Sequence, residues 1–118
     1  MPATIAYVHR AGDAGPLAER AGVAAEAVEE IVDQGEDTIE LLQDRVWSGE
    51  VARVMLPGLA ILGPDIMAQE MILSGWIERG VGVFSEAEPD LGDGDPRRRQ
   101  ARAALGEIDA YGKIPWVP

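Results

Sequence analysis

The chain has 118 residues, a formal net charge of −11 and no cysteine. This length suits one domain, a hydrophobic content of 47% supplies a core, and the missing cysteines exclude disulfides and thiolate chemistry. No stretch is apolar for long enough to span a bilayer, and the first residues lack the pattern of a secretory signal. We therefore expect a cytoplasmic protein without a membrane segment.

The charge is unevenly distributed along the chain. Residues 13–50 hold eleven acids against two arginines, a local net charge of −9. Such a surface repels phosphate backbones, so direct nucleic-acid binding is not expected. The sequence has a single basic cluster, which consists of Arg97, Arg98, Arg99 and Arg102. We interpret it as a solvated helix face and as the one place where the chain could contact nucleic acid.

Hydrophobic patterning predicts strands that alternate with helices. Strands are expected at residues 4–9, 51–56 and 81–84, and helices at residues 16–22, 38–48, 64–79 and 96–111. Residues 24–32 are ambiguous, because their apolar residues fit one face of a helix but the last of them could also form a strand. Asp37 or Thr38 is the expected cap of the second helix, and residues 59–63 are expected to form an apolar loop.

This alternation implies an α/β domain with a largely parallel sheet. The domain is expected to span residues 1–112. Residues 113–118 contain two prolines and are expected to form an irregular tail, because proline blocks both helix and sheet hydrogen bonding.

The order of the elements resembles the catalytic domain of the serine recombinases, the resolvase/invertase family, across roughly residues 4–112. "IAYVHRA" is similar to that family's first strand, normally Tyr-x-Arg-x-Ser, and "AGVAAEAVEEIVDQGED" to its first helix, second strand and Asp-x-Gly turn. "IELLQDRVWSGEVARVMLPGLAILG" and "IERGVGVFSEAE" are similar to its third and fourth strands with their helices, and "DPRRRQARAALGEIDAYG" to the start of its long dimer-forming helix. The resemblance implies a three-layer fold with a four-stranded, mainly parallel sheet flanked by helices.

The residues that carry catalysis in that family are replaced in this chain. Aligned on Tyr7, His9 stands at the position of an arginine and Ala11 at that of the nucleophilic serine. The family's arginines after the third strand fall on an uncharged loop, where the degenerate positions are Leu59, Ala60 and Gly63. Alanine has no hydroxyl to form a serine–phosphate ester, and an apolar loop offers no guanidinium to the phosphate. The resemblance therefore implies an inactive relative without catalytic residues, cofactor or metal.

An inactive relative is expected to act through protein–protein contacts, as a homodimer or as a regulator of a DNA-processing partner. The resemblance places the self-association surface on the last helix. The candidate interaction residues are Arg97, Arg98, Arg99, Arg102, Tyr111 and Trp116. No small-molecule ligand is inferred.

Two alternatives belong to other classes of protein. Residues 17–31 resemble a helix-turn-helix and would make the chain a DNA-binding regulator, although glutamates stand where bases would be read. His9 could serve as a general base oriented by Asp13 or Asp33, although no nucleophile pairs with it in the nearby sequence. The acids of residues 33–40 match no calcium-loop spacing and are interpreted as a capping cluster.

Overall fold

The protein is described by a computed structural model that covers residues 2–91 and 95–106. Strands and helices alternate along the chain, as the hydrophobic pattern predicted. The elements are β1 (Ala3–Val8), α1 (Ala14–Ala21), β2 (Val28–Val32), α2 (Glu36–Trp47), β3 (Val51–Leu56), α3 (Ile66–Glu78), β4 (Gly82–Ser85) and α4 (Pro96–Leu105). Two short 3-10 turns lie at Ala25–Ala27 and Leu59–Leu62.

The four strands form one parallel sheet in the order β2-β1-β3-β4. The chain moves outward from β1 to β2 and then returns past β1 to β3. Right-handed crossovers then require α1 on one face of the sheet and α2 and α3 on the other, and the packing below has this arrangement. The expected three-layer α/β fold with a four-stranded sheet is confirmed, and it is consistent with a resolvase-like fold.

Side chains of β1 alternate between two hydrophobic cores. Ile5 and Tyr7 join the larger core, where α2 and α3 contribute side chains such as Leu42 and Trp76. Ala6 and Val8 point to the opposite face and pack with α1. This alternation follows from the two-residue period of a strand, and burial on both faces explains why β1 is a continuous apolar run.

The ambiguous segment at residues 24–32 folds as a 3-10 turn followed by β2. The predicted side-chain cap of α2 is wrong, because the helix begins at Glu36 after Gly35 and has no capping side chain. The Thr38 hydroxyl instead accepts a hydrogen bond from the backbone N–H of Gln34 at 3.0 Å. Gly35 has a φ of 117°, a conformation that a residue with a Cβ rarely adopts.

The last described helix is shorter than predicted. It ends at Leu105, with Gly106 in the left-handed conformation at φ 74°, the usual way in which glycine terminates a helix. The expected continuation to Tyr111, the tail at residues 113–118 and Trp116 lie outside the described residues. Within residues 2–91 and 95–106, the helices are too short or too polar to cross a membrane.

Candidate functional site

The carboxyl ends of β1 and β3 lie side by side, because these strands are parallel neighbours. In open parallel sheets, ligands bind at such an edge where the connections diverge to opposite faces. Val8 at the end of β1 and Pro57 after β3 line one cleft of about 370 Å³. The structure thus brings together the two segments in which the resemblance placed the degenerate catalytic positions.

The loop after β1 carries no hydroxyl group, since Ala11 stands where the resemblance places the nucleophilic serine. His9, Arg10 and Ala11 are exposed, and His9 makes no hydrogen bond to another described residue. Asp13 lies 3.9 Å from the Arg10 guanidinium and not against the histidine. The proposed orientation of His9 by Asp13 or Asp33 is therefore wrong.

Asp33 is instead the partner of a buried tyrosine. The Tyr7 hydroxyl donates to the Asp33 carboxylate at 2.8 Å, and Tyr7 is fully buried. Burial, followed by the hydrogen bond to Asp33, raises the pKa of the Tyr7 hydroxyl well above its ordinary value. The same carboxylate accepts from the backbone N–H of Gly35 at 3.1 Å. This arrangement holds the end of β1 to the turn after β2 and keeps Tyr7 neutral.

A carboxylate of the chain itself occupies the backbone donors of the β1–α1 loop. The N–H groups of Gly12 and Ala14 both donate to the Glu30 carboxylate at 3.0 Å. Glu30 reaches this loop from β2, which pairs directly with β1. Backbone donors at the start of a helix suit anions, and here the anion is supplied intramolecularly.

The loop after β3 has the same arrangement. The Leu59 N–H donates to the Glu88 carboxylate at 2.9 Å, and the Ser85 hydroxyl donates to the same oxygen at 2.6 Å. Leu59 is buried and Ala60 is exposed. A Cβ on Gly58 would lie only 3.2 Å from the Ala87 Cβ, so the loops after β3 and β4 pack closely. The degenerate positions Leu59, Ala60 and Gly63 thus belong to a turn closed by Glu88.

The cleft between the two loops is lined by apolar and charged side chains. Leu17 and Pro16 lie beside the strand ends, and the charged lining residues are Asp13, Arg20 and Glu86. The Arg20 guanidinium donates to the Glu86 carboxylate at 2.9 Å. None of the lining residues carries a hydroxyl, so the cleft offers no group that could form a serine–phosphate ester.

The basic cluster is divided between the protein interior and the surface. Arg97 and Arg99 are exposed, but Arg102 is 3% exposed and lies against the buried Glu70 of α3. The side chain of Arg98 is 13% exposed and also faces Glu70. The interpretation of all four arginines as a solvated interaction face is therefore wrong for Arg98 and Arg102.

Asp95 holds the start of α4 together with Arg97. The Asp95 carboxylate accepts hydrogen bonds from the Arg97 backbone N–H and guanidinium at 2.8 Å. These contacts, led by the side-chain hydrogen bond, lower the pKa of Asp95 to about 2. Asp95 is therefore the N-cap of α4, and the exposed Arg97 pairs with this capping carboxylate.

The helix-turn-helix interpretation of residues 17–31 is contradicted by the secondary structure. The first part lies in α1, but the supposed recognition helix is a three-residue 3-10 turn that leads into β2. A strand paired in a sheet cannot enter the major groove as a helix would. Among the described residues, no group of three or more His, Asp or Glu side chains could hold a metal ion.

The sequence did not indicate the roles of Glu30 and Glu88 at the strand ends, or of Glu70 beside α4. Glu30 lies in the segment that fitted both helix and strand. Glu88 lies in residues 86–96, which are rich in acids, glycine and proline, a composition typical of exposed turns. Parallel pairing offered a partial signal for Glu88 alone, because the residues that follow the neighbouring strands β3 and β4 meet at one edge of the sheet. No protein-family model and no curated protein sequence matches this chain.

Proposed function

We propose that this chain is a non-catalytic, resolvase-like domain of the cytoplasm that acts through protein–protein contacts. Its role is self-association or contact with a DNA-processing partner. Two observations support this role, namely the sequence resemblance to the resolvase/invertase family and the geometry of the strand ends.

One observation carries the non-catalytic part of the proposal. The backbone donors at the ends of β1 and β3 are engaged by Glu30 and Glu88, where a phosphoryl-transfer enzyme would keep donors and cations for its substrate. Ala11 provides no hydroxyl beside them. A phosphate would have to displace a carboxylate and then lie among the remaining acids, Asp13 and Glu86.

The contact surface in this proposal is the exposed side of α4, with Arg97 and Arg99. Arginine is enriched in protein interfaces because its planar guanidinium forms several hydrogen bonds and also stacks. Met67 and Ala104 line an adjoining groove with Arg97 and Gln100, and Met67 is 42% exposed. Apolar and cationic groups next to each other favour a protein partner over a purely solvated face.

Sedimentation velocity of the full chain over a wide concentration range tests this proposal. We expect reversible self-association, and we expect Arg99→Glu to raise the dissociation constant by roughly tenfold, because a significant interface side chain contributes more than about 1 kcal/mol. Arg10→Glu is the matched control, since it makes the same charge change at an exposed arginine in the β1–α1 loop. A chain that stays monomeric, or equal effects of both variants, would contradict self-association through α4.

A further inference from the structure

The packing of α4 differs from that of the other helices in the described chain. Its only buried residues are Ala101 and Arg102. By contrast, α2 buries Leu42 and Val46, and α3 buries Leu73, Trp76 and Ile77. Because the hydrophobic effect scales with buried apolar area, α4 gains little from apolar contact with the rest of the domain.

Two arginines of α4 face a buried carboxylate of α3. The Arg98 guanidinium lies 3.4 Å from one Glu70 oxygen, and that of Arg102 lies 3.9 Å from the other. Arg98 also lies 3.9 Å from Glu88, and Arg102 donates to the Leu91 carbonyl at 2.8 Å. Both arginines are therefore held by carboxylates or carbonyls of the domain.

Buried ion pairs contribute little net free energy. Removing the charges from water offsets most of the Coulomb attraction between them. The docked state of α4 thus lacks the large apolar term that holds α2 and α3. A free helix of ten residues is also unstable in water, because helix nucleation is costly.

We propose that α4 is a releasable strap that detaches from α3 and loses its helical structure while the sheet and the other helices stay folded. Detachment exposes Glu70 and frees the guanidiniums of Arg98 and Arg102. The strap then offers all four of its arginines to a partner, whereas the docked helix exposes only Arg97 and Arg99. This inference rests on the contacts of α4 alone and stands whether or not the chain self-associates.

Amide hydrogen exchange of the full chain under native conditions tests the strap directly, because local opening is seen as lower protection than that of the core. We expect the amides of residues 100–105 to exchange through a local opening that leaves β1 and β3 protected. Glu70→Gln should accelerate exchange in residues 100–105 by roughly 10- to 100-fold, since it weakens charged hydrogen bonds, and should leave β1 and β3 unchanged. Glu78→Gln is the control, because Glu78 is an exposed acid of the same helix.

A second variant tests the electrostatic origin of the weak docking. Glu70 faces both Arg98 and Arg102, so Glu70→Met, Arg98→Met and Arg102→Leu together exchange the buried charges for apolar contact, which often holds at least as well. This triple variant should slow exchange in residues 100–105. The proposal is overturned if these amides exchange only with global unfolding, or if Glu70→Gln lowers protection equally in α4 and in the sheet.

Discussion

At the scale of single residues, side chains at the strand ends hold the structure together. Tyr7 and Asp33 form a partly buried hydrogen bond, and Glu30 and Glu88 accept from backbone amides. Each hydrogen bond satisfies a polar group that would destabilise the folded state if it had no partner. The polar residues at this edge therefore stabilise the loops around Ala11.

The raised pKa of Tyr7 predicts a loss of stability at alkaline pH. The folded state holds the Tyr7 proton more tightly than the unfolded state. The stability that follows from this difference is fully present below the ordinary tyrosine pKa of about 10 and is lost as the pH rises further. Urea unfolding between neutral pH and pH about 11 should show this fall in the free energy of unfolding. In Tyr7→Phe the alkaline fall should be smaller, with a cost of about 1 kcal/mol at neutral pH.

Tyr111→Phe is the control for this prediction, because it removes the other tyrosine of the chain. Any alkaline loss that comes from Tyr111 or from the single lysine, Lys113, persists in Tyr7→Phe. An unchanged alkaline slope in Tyr7→Phe would show that Tyr7 does not hold its proton in the way described.

At the scale of elements, periodicity in the sequence located β1, β3 and β4 but left β2 ambiguous. β1, β3 and β4 are short apolar runs, and such runs predict buried strands. In β2, Glu29 and Glu30 interrupt the run, and the remaining apolar residues fit either period. Pairing with β1 decides the structure of this segment, and that is a tertiary effect that no local pattern contains.

The surroundings of the α4 arginines also could not be predicted from the local sequence. Arg98 and Arg102 are four residues apart, so they share one face of a helix. The sequence does not tell whether that face meets water or an acid from another helix. Glu70 lies 28 positions before Arg98 in the chain, and only the packing of α4 on α3 places the two side chains together.

The hydrogen bonds between Glu30 of β2 and the β1–α1 loop give a prediction at the scale of elements. Glu30→Ala removes the acceptor of two backbone donors, Gly12 N–H and Ala14 N–H. We expect a loss of about 1 kcal/mol in the free energy of unfolding, because the lost hydrogen bonds involve a charged group but the site is partly open to water. Urea unfolding of the wild-type chain and of Glu30→Ala measures this difference in the free energy of unfolding.

The matched control is Glu26→Ala, at an exposed acid in the neighbouring 3-10 turn. It should leave the free energy of unfolding nearly unchanged. If both variants cost the same, Glu30 would be a surface charge like its neighbours.

At the scale of the whole molecule, charge and topology act together. The sheet order opens a crevice between the ends of β1 and β3, the usual place for a ligand in an open parallel sheet. The net charge of −11 and the carboxylates of Asp13, Glu30, Glu86 and Glu88 make this crevice unfavourable for phosphate. The sequence predicted this fold and the absence of a nucleophile at Ala11, but the carboxylates that occupy the loop amides became visible only in three dimensions.

The chain's own carboxylates hold the amides at these strand ends, and this is the central claim. A ¹H–¹⁵N spectrum of the full chain, titrated with a short DNA duplex at low salt, tests this claim directly. We predict that the amide signals of Gly12, Ala14 and Leu59 stay in place throughout the titration. Saturable shifts of these three signals would show that phosphate displaces Glu30 and Glu88, and would contradict the account.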